Sequence, residues 1–420
     1  MLEKPRSAEI VCIGTELLVG ALLNTNARFL SRKLAENAID VYRETTVGDN
    51  HERIVDALRL ALGRADIVIT SGGLGPTEDD VTMGAVASLL NRRRAFHKPT
   101  YRYIQDKIKS RHLPMTPLVA RQCYLPEGAR VLKNRFGTAP GLILETLSGA
   151  RKKWLVILPG PPRELEPMFT GQALPALIRS ARLKRGCFYV RSVRLTGVTE
   201  AEVANRVKDL LRRKPPLTVG IYAKPLEVEL KIMAKYPSQK KAVIMAGRLE
   251  KIIRCRWKEK VFGVNGDTLP SVIGKKLRQS RKTLGLAESC TGGLASHLVT
   301  TAPGSSDYFR GSVVVYSNDL KKSLLNIPES VLKKNGAVSG AAAKHMAGNV
   351  RRILHTDIGL GITGIAGPSG GSRRKPVGLV FIAIADSSQV RVIKNRFFGT
   401  RGEITAAAAH KALDLLRLFK

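Results

Sequence analysis

The stretch AESCTGGLASHL, residues 287–298, combines a hydroxyl, a thiol, a carboxylate and two glycines in one turn of chain. The apolar run TLGLA leads into Glu288, Ser289 and Cys290, and Thr291, Gly292 and Gly293 then open an apolar-periodic segment that reads as a helix. Ser289 is thereby expected on a strand-to-helix turn. The first N–H groups of a helix lack intrahelical acceptors and suit an anion or an oxyanion, and glycines let a ligand approach the backbone. The same residues would equally make an ordinary capped helix start. Downstream, SVVVYSNDLKKSLL ends an apolar run at Tyr316 and Ser317, with Lys321 soon after. A serine nucleophile needs a base, and lysine serves where low polarity or a neighbouring cation lowers its pKa. No serine–histidine–acid motif is visible. Cys290 is a rival nucleophile, although its side chain points the other way if Ser289 faces the pocket. A third stretch, GLGITGIAGPSGG with Thr363, Gly364, Gly367 and Pro368, reads as a strand spilling into a glycine-rich loop suited to ribose or phosphate.

A separate set of residues lies near the start of the chain. Gly14, Thr15 and Glu16 follow an apolar strand, and TSGGLGPTEDD spans residues 70–80. Its glycines permit close backbone approach to a phosphate, and Asp79 and Asp80 could hold a hard cation through oxygen. Acids at a helix start also complement the macrodipole with no metal involved.

The first region alternates strand and helix patterns: AEIVCIG, a helix over 26–37, VYRETTVG, a helix over 51–63, then ADIVITSGGLG. This order implies a parallel sheet covered on both faces, whose ligands collect at the carboxyl ends of the strands. Residues 171–260 have a different composition, with strand-like YVRSVRL, a helix opened by a Thr199/Glu202 capping box, and the alternating strand LEVELKI. Val203, Val207, Leu210 and Leu211 give that helix one apolar face. The helix TLPSVIGKKLRQS then leads to the strand before Ser289.

ESCTGG, YSNDLK, GAVS, GITGIAGPSGG and KPVG occur in the order seen in the C-terminal domain of the competence/damage-inducible protein A (CinA) family, the nicotinamide mononucleotide deamidases. GTELL, TSGGLGPTEDDVT, NRFGTAPG and LPGPPRELEPMF likewise resemble the family's N-terminal domain, which is similar to molybdopterin-binding domains. The resemblance implies an α/β chain of three parts: a molybdopterin-binding-like parallel-sheet domain over 1–170, a small α+β KH-like module over 171–260, and an α/β deamidase domain over 261–420. It implies Ser289, Lys321 and Tyr316 as catalytic, with Tyr316 orienting the lysine. Glu288, Thr291, Gly292, Thr363, Gly364, Gly367, Lys375 and Arg401 are the implied oxyanion and substrate contacts. In the N-terminal domain the implied nucleotide site is Thr15, Glu16, Asn26, Ser71, Gly72, Gly73, Gly75, Pro76, Thr77, Gly137, Thr138 and Gly160, with Asp79 and Asp80 at a divalent metal. ADP-ribose pyrophosphatase activity is implied there, and the deamidase domain is expected to need no cofactor. The competing reading is a competence- or recombination-associated, or molybdopterin-binding, protein without hydrolase activity. KH domains bind single strands through a GXXG loop, but LLRRKPPL follows the helix here instead, so the module reads as a spacer or dimerisation element. Thr400 and Thr405 stand where the family commonly has Asp and Arg, and Arg373 and Arg374 could compensate by attracting the mononucleotide phosphate.

Composition bounds these readings. The chain has 420 residues, enough for two or three cores at about 100–200 residues each. No apolar run approaches the ~20 residues of a membrane span, and MLEKPRSAEIV lacks a secretory core, so a cytoplasmic protein is expected. Five scattered cysteines without a CxxC pair indicate neither a disulfide framework nor a zinc site. The formal charge of +36 is spread over clusters at 92–94, 152–153 and 240–260, which could favour polyanions or simply solvate the surface. Weak, nonspecific nucleic-acid binding is the most that is expected, with a homodimer implied by the resemblance.

Overall fold

A computed structural model describes residues 7–112, 114–149, 151–181 and 186–419. Two compact units divide the chain: one runs to Tyr189 and takes in Lys235–Ala242, and the other holds Val190–Ala234 and the chain from Val243 onward.

The first domain is built on β1 (Ser7–Ile13), β2 (Asp40–Val47) and β3 (Ile67–Ser71). A short ribbon, β4 (Arg94–Phe96) with β5 (Tyr124–Pro126), precedes β6 (Arg130–Leu132), β7 (Gly141–Ser148) and β8 (Arg151–Leu158). The sheet order is β2-β1-β3-β8-β7-β6. Its first four strands are parallel, as the alternating pattern predicts, whereas β7 and β6 add an antiparallel edge. Alternation along β1 shows why both faces are covered. Ile10 and Cys12 pack with Leu30 and Leu34 of helix Thr25–Glu36, while Val11 and Ile13 pack with Ile54 and Leu58 of helix His51–Arg64. Asn24 and Asn50 start those helices by accepting from Ala27 and Arg53 N–H, both at 3.1 Å. Beyond the expected boundary at 170, Leu174 and Leu177 still pack with Ile10 and Trp154, so this domain continues to about Ala181.

The middle module contains β9 (Cys187–Thr196), β10 (Leu217–Lys224), β11 (Glu227–Tyr236) and β12 (Val261–Val264), in the order β10-β11-β9-β12. Because β12 pairs antiparallel with β9, the module keeps residues 261–264 and the third domain begins after them, not at 261. The expected single helix is split at Val207, whose φ of −117° leaves the helical region, into Glu200–Arg206 and Lys208–Leu211. Val203, Val207 and Leu210 are nonetheless buried. Only the Thr199 half of the capping box forms, accepting from Glu202 N–H at 3.2 Å.

In the third domain, β13 (Leu284–Glu288), β14 (Phe309–Val314), β15 (Ile358–Gly364), β16 (Leu379–Ala385) and β17 (Val390–Arg396) form a sheet of order β14-β13-β15-β16-β17. β13 is parallel to both neighbours, while β16 and β17 run antiparallel. Helices Leu269–Ser280 and Arg401–Leu418 cover one face through Leu277 and Leu413, packed on Leu286, Leu360 and Ile382. Helix Gly340–Ile353 covers the other with Met346 and Val350 against Ala287. That helix lies so close to β15 that a Cβ at Gly359 would sit 2.0 Å from Ala347 O, which explains the glycine. Among the described residues no helix is long and apolar enough to cross a membrane.

Candidate active site

Ser289 is the residue at which β13 leaves the sheet, its N–H still extending the ladder to Ile362 O at 3.0 Å. Lys321 comes from helix Asn318–Ser323, which Ser317 starts by accepting from Leu320 N–H at 3.1 Å. Lys321 is 2% exposed, and its Nζ lies 3.0 Å from Ser289 Oγ, 2.8 Å from Val315 O and 3.2 Å from Tyr316 O. Burial lowers its pKa, against a smaller raising effect of Cys290. A neutral amine has two hydrogens and one lone pair. With the two carbonyls accepting its hydrogens, the lone pair remains for the Ser289 hydroxyl, which is the arrangement of a base and its nucleophile.

The rival thiol is disarmed by its surroundings. Cys290 is 8% exposed and burial pushes its pKa up to about 12, so it stays protonated. Its Sγ lies against Gly364, where a Cβ would come within 3.1 Å.

Several residues expected at the substrate do other work. Glu288 is fully buried, and its carboxylate accepts from Gly293, Ala295 and Ser296 N–H at 3.0, 3.1 and 2.8 Å and from Ser296 Oγ. It anchors the start of helix Leu294–Thr300 instead of facing a ligand. Gly292 N–H turns back to Ser289 O at 3.2 Å, so of the two expected oxyanion donors only Thr291 N–H lacks an acceptor among the described residues. Thr291 Oγ1 is also buried without a partner. The φ values of +59° and +100° at Gly292 and Gly293 are what make this turn a glycine pair.

Tyr316 does not orient Lys321 with its side chain. Tyr316 is 59% exposed, and its hydroxyl accepts from Arg401 Nη2 at 2.6 Å, while Arg401 Nη1 donates to Gly367 O at 2.6 Å. Arg401 thus ties the glycine-rich loop to the segment preceding Lys321. Thr363 is buried and donates to Ala337 O at 2.9 Å, and Lys375 donates to Asn335 O at 2.6 Å; both brace the loop before Ser339 and have no role at Ser289 in this arrangement. Thr400 caps the last helix in a reciprocal box with Glu403, a task Asp performs equally well, and Thr405 Oγ1 donates to Gly402 O at 2.9 Å. Arg373 and Arg374 are exposed.

The first domain has its own cavity, about 550 Å³, at the carboxyl ends of β1, β3 and β8. Of the expected residues, Glu16, Gly72, Gly73, Gly75, Pro76, Thr77, Asp79, Asp80, Gly137, Thr138 and Gly160 line it. Thr15, Asn26 and Ser71 do not. Thr15 donates through N–H and Oγ1 to Asp49, at 2.7 and 2.9 Å, and Asn26 Nδ2 donates to Ser71 Oγ and Gly160 O at 2.8 and 2.6 Å, tying the loops together behind the wall. A divalent cation finds no ready set of ligands here. Asp80 accepts from Gly75 N–H, Thr77 N–H and Thr77 Oγ1 at 2.6, 2.9 and 2.6 Å, Asp79 is exposed, and among the described residues no group of three or more His, Cys, Asp and Glu could hold a metal ion. The residues therefore do not fit a metal held by protein alone.

Sequence reasoning missed Asp49, Arg111, Gln122 and Glu164, which also line this cavity. Asp49 follows β2, so the strand-end rule could have found it; Arg111 and Gln122 carry no local signal. Asn134, likewise missed, shapes the NRFGTAPG loop by accepting from Phe136 and Gly137 N–H and donating to Glu164 at 2.6 Å.

The model of the CinA C-terminal domain matches residues 266–419, that of the "Probable molybdopterin binding domain" residues 9–179, and that of the damage-inducible protein CinA KH domain residues 190–263. A "Putative competence-damage inducible protein" of Caldicellulosiruptor bescii is 43% identical over 410 residues, 98% of each chain. A "CinA-like protein" of Kosmotoga olearia is 42% identical over 410 residues, again 98% of each. The crystal structure of CinA "with unknown function" from Thermoplasma acidophilum is 32% identical with a TM-score of 0.38, covering 41% of this chain and 99% of that one. With such identity along nearly its whole length, and all three domain models in order, this chain belongs to the CinA family.

Proposed function

We propose that the third domain hydrolyses the carboxamide of nicotinamide mononucleotide to nicotinic acid mononucleotide and ammonia. The observation that carries this reading is the buried Lys321 Nζ at 3.0 Å from Ser289 Oγ. Ser289 Oγ attacks the carboxamide carbon while its proton passes to Lys321. The oxyanion accepts from Thr291 N–H, a donor type worth about 3 kcal/mol to such a transition state. Lys321 returns the proton to the departing nitrogen, the C–N bond breaks, and ammonia leaves an acyl-serine. Water then attacks the ester carbon, giving its proton to Lys321, and nicotinic acid mononucleotide departs as Ser289 is reprotonated. Ammonia release from nicotinamide mononucleotide, measured beside other nucleotide amides, tests the reading; a protein that turns over none of them overturns it.

The first domain is proposed to take a second nucleotide, with ADP-ribose as the candidate substrate for pyrophosphate cleavage. Support comes from the size of its cavity, within the range of about 300–1,000 Å³ usual for small-molecule sites, and its backbone-rich floor. A cation serving that hydrolysis would arrive on the substrate's pyrophosphate, since the described residues supply no cage of three or more His, Cys, Asp and Glu. Release of AMP from ADP-ribose, with and without chelator, is the assay. A homodimer remains part of this proposal, and light scattering tests it.

A further inference from the structure

Helix Gly340–Ile353 and the loop 326–328 border an open pocket in the third domain, about 260 Å³, lined by Asn326, Pro328, His345, Asn349, Arg352 and Ile353. His345, Asn349 and Arg352 stand four and three residues apart, so they share one helix face. No carboxylate lines the space. The imidazole of His345 is held below its ordinary pKa by burial and then by the positive charges of Lys344 and Arg352, a potential that no acid relieves. Neither His345 nitrogen has a hydrogen-bond partner among the described residues. Arg352 is exposed, with its Nη2 donating to Asn349 Oδ1 at 3.0 Å and its Nε to Gly348 O at 3.4 Å, which leaves Nη1 without an acceptor among the described residues.

We propose that this pocket is a binding site for a phosphate group, either inorganic phosphate or a phosphomonoester. An oriented guanidinium and an unpartnered imidazole in a space without acids meet the needs of a compact, multivalent acceptor. Its occupation would reach Lys321. Asn349 Nδ2 donates to Leu325 O at 2.5 Å and Asn326 O at 3.4 Å, Ile327 N–H donates to Lys321 O at 3.1 Å, and Leu325 and Ile327 are buried with Met346 and Val350. A phosphate bridging loop and helix therefore braces the segment that carries the lysine. Binding stands independently of the deamidase reading, and only this effect on turnover rests on it.

The test is calorimetric titration of the full chain with inorganic phosphate, and separately with ribose 5-phosphate, at constant ionic strength. A saturable phase is expected that weakens about tenfold or more in Arg352→Ala and in His345→Ala. Arg391→Ala, which removes an exposed arginine of β17, serves as the control for the protein's general positive charge. Preference for one titrant identifies the source of the phosphate. Should Arg352→Ala fold poorly by circular dichroism, Arg352→Lys keeps the charge without the fork and is expected to weaken binding by a smaller factor. Equal weakening in Arg391→Ala, or a saturable phase untouched in both the Arg352 and His345 variants, overturns the site. Retained ammonia release with no phosphate phase would reject the pocket while sparing the deamidase reading; a phosphate phase in a protein without ammonia release would do the reverse.

Discussion

The first and third domains both gather their informative residues where parallel strands end, yet they hold them in opposite ways. In the third domain two buried side chains, Ser289 and Lys321, meet directly, and the surrounding carbonyls fix the lysine's protons. In the first, a large cavity is floored by the backbone of a glycine-rich loop, and the carboxylate best placed to act, Asp80, is occupied in folding that loop. Reactive groups need low dielectric and few partners, whereas a nucleotide cradle needs exposed N–H groups and room. The same strand-end geometry thus holds a buried hydroxyl–amine pair in one case and an open, glycine-lined cavity in the other.

The contrast breaks most sharply at Ser289. Ser289→Ala is expected to lower ammonia release about 10⁴-fold, and Lys321→Ala to match it within about tenfold, because paired groups act as a unit. Cys290→Ala should stay within about threefold, since a thiol whose pKa is near 12 supplies no thiolate at neutral pH. A Ser289→Ala protein that still releases ammonia would remove the nucleophile from the account. The pH profile carries the same logic with a definite sign. A protonated lysine accepts nothing, so kcat/KM should fall as pH drops through the lowered pKa of Lys321 and level off above it.

For the first domain the counterpart is Asp80→Ala. Three donors of the GGLGPT loop lose their acceptor, and charged hydrogen bonds of this kind contribute about 1.5–3 kcal/mol each, so ADP-ribose affinity is expected to fall about a hundredfold. Ammonia release should not change. Loss of both activities together would show that the two sites are not separate.

Glu288→Gln sharpens the comparison within the third domain. The amide places an NH2 where N–H donors now converge on a carboxylate, which loosens the turn beside Ser289. The expected result is a kcat lowered about thirtyfold with KM nearly unchanged, because the residue positions the oxyanion donor and does not touch substrate. A raised KM with kcat intact would return Glu288 to the substrate.

Much of this organisation was legible in the sequence. The alternating strand and helix patterns from AEIVCIG to ADIVITSGGLG announce the first sheet and its helices, and SVVVYSNDLKKSLL sets Lys321 shortly after an apolar run. Side-chain direction was not legible. Whether Glu288 faces a ligand or its own helix depends on the left-handed glycines at 292 and 293, and the exposure of Tyr316 depends on how the chain turns after β14. The four-residue β12 is too short for periodicity to assign, and only its pairing with β9 shows to which domain it belongs. Arg111 and Gln122 reach the first cavity from segments distant in sequence from its glycine loop, so no local pattern marks them.

The smallest expected effect concerns Tyr316, where the family resemblance and the geometry diverge. If its hydroxyl oriented Lys321, Tyr316→Phe would cost turnover nearly as much as losing the base. Here the lysine is held by the carbonyls of Val315 and Tyr316, which no side-chain substitution removes, and the hydroxyl instead accepts from Arg401. Removing that oxygen leaves Arg401 still donating to Gly367 O, at an exposed position where one neutral acceptor contributes about 1 kcal/mol or less. Tyr316→Phe is therefore expected to raise KM about threefold through a looser glycine-rich loop and to leave kcat and its pH profile in place. Steady-state ammonia release across a pH series separates the alternatives: a collapse of kcat, or an acidic limb shifted upward, would mean that the tyrosine swings inward on the substrate complex and governs the lysine's proton.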